Sequence, residues 1–209
     1  MHKIVNMMVL VFGLSAVSGL LAGHAGADQT PPVSGWMEQF SFNDPPLPAP
    51  QTPFLAGNGA EVKFGDFEDR VLLVNFWATW CAPCVRELPS LDKLQAELAA
   101  EGLLVLAISQ DRGGAAVAGP FLEKLGIRHL GLFLDPKMRL GRELGMRALP
   151  WSYLIDRDGQ IVGELPGYAE WDSAEAIALI RHYLDQGKKE EPNRASGPRP
   201  PTRVAARVR

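Results

Sequence analysis

Cys81 and Cys84 stand three positions apart in the stretch Trp80-Cys81-Ala82-Pro83-Cys84, and the chain has no other cysteine. A pair at this spacing can close a disulfide and reopen it, carrying two electrons each time. The residues that follow favour this chemistry. Val85, Leu88, Leu91, Leu94 and Leu98 recur at steps of three and four, so a helix with one apolar face begins at the pair. The first turn of a helix leaves backbone N–H groups unpaired and carries partial positive charge, which stabilises a thiolate. Cys81, at the very end, is expected to be exposed and to attack. Cys84, one turn further in, is expected to be more buried and to resolve the mixed disulfide. Pro83 is tolerated because first-turn N–H groups have no helical partner, and it constrains the pair. A purely structural bridge is the poorer reading, since so small a loop stabilises little. Two cysteines are too few for a disulfide-stapled scaffold and supply only half of a tetrahedral zinc site.

The elements that must hold the pair can be read from pattern. Val71 to Phe76 is a nearly continuous apolar run, as in a strand buried on both faces. Leu103 to Ile108 is a second such run beyond the helix, which Gly102 ends. Strand, helix and strand in this order predict a right-handed parallel crossover. Pro89 should kink the helix. A short edge strand is expected at Glu61 to Phe64, a second helix from Ala115 to Leu125 with Gly126 as its stop, and a short strand at Gly131 to Leu134. Pro136 is expected to open a third helix reaching about Leu144. Trp151 to Ile155 and Gln160 to Glu164 flank an Asp-Gly turn and read as a hairpin. Trp171 to Leu184 closes the domain with an amphipathic helix, capped by Asp172 or Ser173. The pattern predicts an α/β fold with a mixed sheet and helices on both faces.

The ends differ from this core. Lys3 is followed by nothing ionisable from Ile4 to Ala22, and Ala25-Gly26-Ala27 then offers small residues in an A-x-A pattern. Residues 1–27 therefore read as an export segment, either a cleaved signal peptide or a retained membrane anchor. With Lys3 on the cytoplasmic side, the remainder lies outside. Residues 28–56 are Pro-rich and are expected to form an extended tether. Residues 57–186 form the expected domain. Residues 187–209 read as a disordered basic tail, with seven Lys/Arg against two Asp/Glu from Lys188 onward. The formal net charge of the whole chain is −3, which does not suggest a nucleic-acid partner.

The stretch VLLVNFWATWCAPCVRELPSL at 71–91 resembles the thioredoxin superfamily, and more closely the TlpA/ResA-type exported thioredoxin-like proteins. The resemblance runs from about Gly59 to Leu184 and is strongest at NFWATWCAPC and at LPWSYLIDRDGQIVGELPGYAEW. It implies a thioredoxin fold with an N-terminal β extension and a central αβ insertion. It also implies roles for single residues. Trp80 shields the nucleophile. Leu149-Pro150 aligns with a cis-proline segment that faces the cysteines and receives an extended substrate. Glu87, three residues after Cys84, matches an active-site carboxylate; near the core its proton affinity would rise and it could accept a proton. Two departures stand out. Asn75 replaces the buried Asp of ordinary thioredoxins and cannot titrate. Trp151 stands where relatives often carry Thr, and either reshapes the groove or merely packs. His129 and His182 are read as structural or surface residues.

The function implied by the resemblance is a reductase in the oxidising bacterial periplasm. It would act on client cysteine pairs during cytochrome c or cytochrome oxidase assembly and draw electrons from a membrane thiol transporter. No cofactor is expected beyond the redox-active pair, no metal, and a monomeric state. Two rivals remain: a dithiol oxidant of exported proteins, and a copper-binding metallochaperone, since two thiolates suit Cu(I). A thiol peroxidase is disfavoured because no Arg accompanies a singly activated cysteine.

Overall fold

The computed structural model describes residues 31–186, apart from 32 and 68. Its centre is strand β4 (Val71–Trp77), buried along its whole length. After it come helix α1 (Ala82–Leu98) and strand β5 (Leu103–Ser109), which pairs parallel with β4. Helix α2 (Ala115–Lys124) leads to β6 (Gly131–Leu134), parallel to β5. A short helix α3 (Arg139–Glu143) precedes β7 (Trp151–Ile155) and β8 (Gln160–Pro166), an antiparallel hairpin whose β7 lies antiparallel against β4. Helix α4 (Ala174–Gln186) closes the order, with Ser173 Oγ accepting from the Ala176 N–H at its start.

Because side chains alternate across a strand, the sheet sorts its own residues into two cores. Val71, Leu73 and Trp77 pack with α1, α2 and α4, where Leu88, Leu91, Leu94, Leu98, Leu179 and Ile180 meet them. Leu72, Val74 and Phe76 face the other way, against Leu140 of α3, Tyr153, Phe54 and Phe64. Fully burying a Leu is worth roughly 1.5–3 kcal/mol, so the α1 stripe is a principal fastening of this helix to the sheet. Asn75 falls on the α1 side of β4 by the same alternation.

The segment expected to be a tether is instead part of the fold. Three further strands, β1 (Ser41–Pro48), β2 (Phe54–Ala56) and β3 (Glu61–Val62), extend the sheet to the order β1-β8-β7-β4-β5-β6-β2-β3. Met37 and Phe40 are buried ahead of β1. Proline is excluded from central strands by its missing N–H but not from an edge, and β1 is an edge pairing with β8 alone. Gly163 admits this closure: a Cβ there would lie 2.4 Å from the Phe40 ring and 2.5 Å from the Ser41 carbonyl oxygen.

The third helix also differs from expectation. It starts at Arg139 rather than Pro136. Met138 is left-handed, and the buried Asp135 carboxylate accepts from the backbone N–H groups of Arg139 and Gly141, so a side-chain-capped turn takes the place of the first helical turn. Pro89, where a kink is expected, lies inside the continuous span of α1. The expected export segment at 1–27 and the basic tail at 187–209 lie outside the described residues. Among the described residues, no helix is long and apolar enough to cross a membrane.

Candidate active site

The end of β4 turns through Ala78-Thr79-Trp80 into α1, and this turn is held from β5. Buried Asp111 accepts from the Thr79 N–H at 2.9 Å, the Thr79 hydroxyl at 2.8 Å and the Ser109 hydroxyl at 2.9 Å. Backbone bonds add to this, with the Gln110 N–H donating to the Trp77 carbonyl. The position of Cys81 is therefore fixed by an acid thirty residues away that no local motif announces.

Cys81 and Cys84 form a disulfide with their Cα atoms 5.3 Å apart. Cys81 is the N-cap of α1, and its Sγ accepts from the Cys84 N–H at 3.4 Å. The helix terminus thus directs a donor at this sulfur, as the sequence predicts. Accessibility differs from expectation. Cys84 is fully buried, but Cys81 is also buried, at 6%. In the disulfide state the first cysteine packs in the same core cluster as Trp77 and Leu88. Trp80 remains 68% exposed beside it. Pro83 and Leu149 are half-buried and Pro150 is buried, with the Leu149–Pro150 bond cis. The Pro150 carbonyl accepts from the Gly167 N–H.

Glu87 lies on the buried face of α1 and is wholly inaccessible. Its Oε1 accepts from Asn75 Nδ2 at 2.7 Å, and its Oε2 from the Ala169 N–H at 3.3 Å. Burial pushes its proton affinity up, to a pKa of about 8. The Asn75 amide, the Ala169 N–H and the Trp171 indole act in the opposite direction, and the Glu170 carboxylate adds to the rise. The indole does so without a hydrogen bond of ordinary geometry. A solvated Glu paired with an Arg is thereby excluded. Ser90 ties the same region together: its hydroxyl donates to the Glu87 carbonyl and accepts from the Trp171 N–H.

Asn75 has a second partner that sequence reasoning missed. Ser152 is its direct cross-strand neighbour, and Asn75 Nδ2 donates to Ser152 Oγ at 3.0 Å. Trp151 points to the other face of β7. It stacks on Tyr153 and donates from Nε1 to Glu164, so it packs across the hairpin. Among the described residues, no group of three or more His, Cys, Asp or Glu could hold a metal ion.

Comparison with known proteins agrees with this geometry. The family model described as Redoxin matches residues 42–179. A thiol-disulfide oxidoreductase ResA of Bacillus anthracis is 29% identical over 109 residues, covering 52% of this chain and 62% of that protein. The thiol:disulfide interchange protein HelX of Rhodobacter capsulatus is 32% identical over 112 residues, covering 52% and 61%. The chain thus spans less than two thirds of the length of these relatives. Among solved structures, a thiol:disulfide interchange protein DsbE of Chlorobium tepidum is similar with a TM-score of 0.60 and 29% identity, over 66% of this chain and 96% of that one. A secreted thiol-disulfide isomerase of Corynebacterium glutamicum shares the fold, with a TM-score of 0.61 and 23% identity over 71% of this chain and 93% of that one.

Proposed function

The chain belongs to the Redoxin family, and from that premise we propose that it is an extracytoplasmic thiol–disulfide oxidoreductase that reduces client protein disulfides. One observation carries the reading. A Cys-x-x-Cys pair caps a helix whose next inward turn holds a buried carboxylate with raised proton affinity. Redox-active pairs need both features: a stabilised first thiolate and a proton acceptor for the second thiol.

The reaction starts from the reduced protein. The Cys81 thiolate attacks one client sulfur, the client disulfide breaks, and a Cys81–client mixed disulfide forms. The departing client sulfur takes a proton. Glu87 carboxylate then accepts the proton of Cys84. The Cys84 thiolate attacks the Cys81 sulfur and expels the second client thiolate. Two electrons have passed to the client, and the Cys81–Cys84 disulfide of this structure is the product state.

Trp80, exposed beside the pair, together with Pro83, Leu149 and Pro150, forms the surface that meets the client. The likeness to ResA and HelX supports the thiol–disulfide chemistry; the reductive direction, a client in cytochrome c or cytochrome oxidase assembly and a membrane thiol transporter as electron donor are what the resemblance of residues 71–91 to TlpA/ResA-type proteins implies. Location outside the cytoplasm is supported by the character of residues 1–27.

The test has two parts. A reduction potential near that of thioredoxin, about −270 mV, supports a reductase, whereas one near about −120 mV makes the protein an oxidant. Cys84→Ser in cells should trap a mixed disulfide through Cys81. If no client is captured while Cys81→Ser behaves identically, the reading fails.

A further inference from the structure

Every hydrogen bond that reaches the Glu87 carboxylate comes from a donor: Asn75 Nδ2 on β4 and the Ala169 N–H on the segment after β8. Burial favours the neutral acid while the surrounding donors favour the ion, so the donors decide how far the group is usable as a base.

Asn75 is the closest of these donors, and an amide can present either end. Both of its amide N–H groups are in use, one on Glu87 Oε1 and one on Ser152 Oγ, whereas its Oδ1 is buried without a partner. Turning the amide over would aim Oδ1 at the carboxylate and strand two N–H groups where Oδ1 now sits alone. A buried orphan donor costs about 1–3 kcal/mol. In the observed orientation the Ser152 hydroxyl, which can donate or accept, takes the second N–H. Ser152 is held there by register, since β7 and β4 pair Ser152 with Asn75 and alternation turns both residues toward α1.

We propose that Ser152 and Asn75 are positioning residues for Glu87, with Ser152 engaging the second N–H of the Asn75 amide while the first is presented to the carboxylate. The proposal rests on Glu87 as the proton acceptor of the resolving step and adds the two residues that offset part of the rise in its proton affinity. It also accounts for the amide at position 75. An Asp there would place a second carboxylate against Glu87, whereas Asn gives a donor without a charge. Other charged and titratable groups around Glu87 are Glu170, which opposes its ionisation, and Tyr168, which itself feels the Glu87 charge. Arg86 on α1 lies over the Tyr168 ring at 5.3 Å, and the Cys81–Cys84 pair begins the same helix.

The experiment is an NMR titration of the Glu87 carboxyl carbon in the oxidised full chain, with Glu labelled at that carbon. Ser152→Ala should raise the midpoint by about one pH unit, a tenfold rise in proton affinity. Asn75→Leu, which keeps the size and removes the donor, should raise it at least as far. Ser152→Thr restores the hydroxyl and should return the midpoint to that of the parent. A purely structural role would lower thermal stability in these variants without moving the Glu87 midpoint. Parental midpoints in both Ser152→Ala and Asn75→Leu overturn the proposal, and Asn75→Leu carries the same decision should Ser152→Ala not fold. The pH dependence of Cys84 resolution, measured in parallel, separates the two ideas. Raised midpoints with an unaltered pH–rate profile uphold the positioning pair and remove Glu87 from the proton transfer.

Discussion

Glu87 Oε1 and Asn75 Nδ2 meet at 2.7 Å in a fully buried site, although twelve residues separate them in sequence. Two periodicities bring them together. Alternation along β4 turns Asn75 toward α1, on the side of Leu73 and Trp77, and the helical repeat turns Glu87 inward with Leu88 and Leu91. A polar pair is thereby placed inside an otherwise apolar interface, where an unpaired carboxylate would be costly. Its retention there fits a proton-handling role better than a stabilising one.

That placement makes stability depend on pH in a defined direction. The Glu87 carboxyl titrates near pH 8 when folded and near its ordinary value of 4.5 when unfolded. Between these values the folded state holds a proton that the unfolded state has lost, so stability falls as pH rises. The effect is absent below the unfolded value and levels off above about 8. Glu87→Gln removes this term. In urea titrations from pH 4 to 9, the variant should gain on the parent through that window, by a few kcal/mol at most. A difference between the two proteins that stays flat with pH contradicts the folded-state titration of Glu87.

Asp111 is predicted to matter for both stability and rate. It gathers Thr79 N–H, Thr79 hydroxyl and Ser109 hydroxyl on one buried carboxylate. Asp111→Ala strands those donors, and each orphan costs about 1–3 kcal/mol unless water reaches it. Chemical denaturation should show a loss of several kcal/mol. Asp111→Asn retains an acceptor and should lose less. Among variants that remain folded, disulfide reduction should slow because the turn before Cys81 is no longer fixed. Full stability in Asp111→Ala would mean that the turn is held by its backbone bonds alone.

How much of this was legible in the sequence depended on whether a feature is local. The cysteine pair, α1, the two central strands and the hairpin all follow from short-range spacing. Glu87 was found through a resemblance in its motif, and helical spacing placed it inward. Ser152 and Asp111 left no such trace. Each does its work across strands, through a register set only when β7 and β5 dock on β4. The described part of the expected tether at 28–56 joins the sheet for a different reason. Proline-rich composition describes what a segment cannot do in a sheet centre, but β1 sits at an edge, where Pro45, Pro46 and Pro48 forfeit little. At Met138 a left-handed residue and the Asp135 side chain displaced a helix start that Pro136 alone suggested.

Trp80 is expected to separate binding from folding. Its side chain is 68% exposed next to Cys81 and fills no part of the core. Trp80→Ala should change stability by no more than about 0.5 kcal/mol, as for most surface substitutions. Reduction of a protein client should nevertheless slow, while reaction of Cys81 with a small alkylating agent should be unchanged or faster. Thermal melting together with the two rate measurements distinguishes this from a folding effect. Equal slowing toward client and small reagent would show that Trp80 tunes the thiol rather than the encounter.

The resolving step should report Glu87 directly. In the mixed disulfide Cys84 must lose a proton before it can attack Cys81, and the Glu87 carboxylate lies one helical turn along α1. Gln keeps the shape and continues to accept from Asn75, but takes no proton. Glu87→Gln should therefore slow resolution of a preformed Cys81 mixed disulfide by roughly tenfold to a hundredfold at pH 7, toward the low end for loss of a general base because hydroxide can substitute. The profile should change as well. In the parent, the rate should climb with the ionised fraction of Glu87 and flatten above about pH 8. In the variant it should keep rising through that point. Removing a neighbouring negative charge should also let Cys84 of the reduced variant ionise at lower pH. Stopped-flow release of the client thiol from pH 5 to 10 measures both features. Parental rates and an unaltered profile in Glu87→Gln would assign the proton to solvent and leave the buried carboxylate without a part in the chemistry.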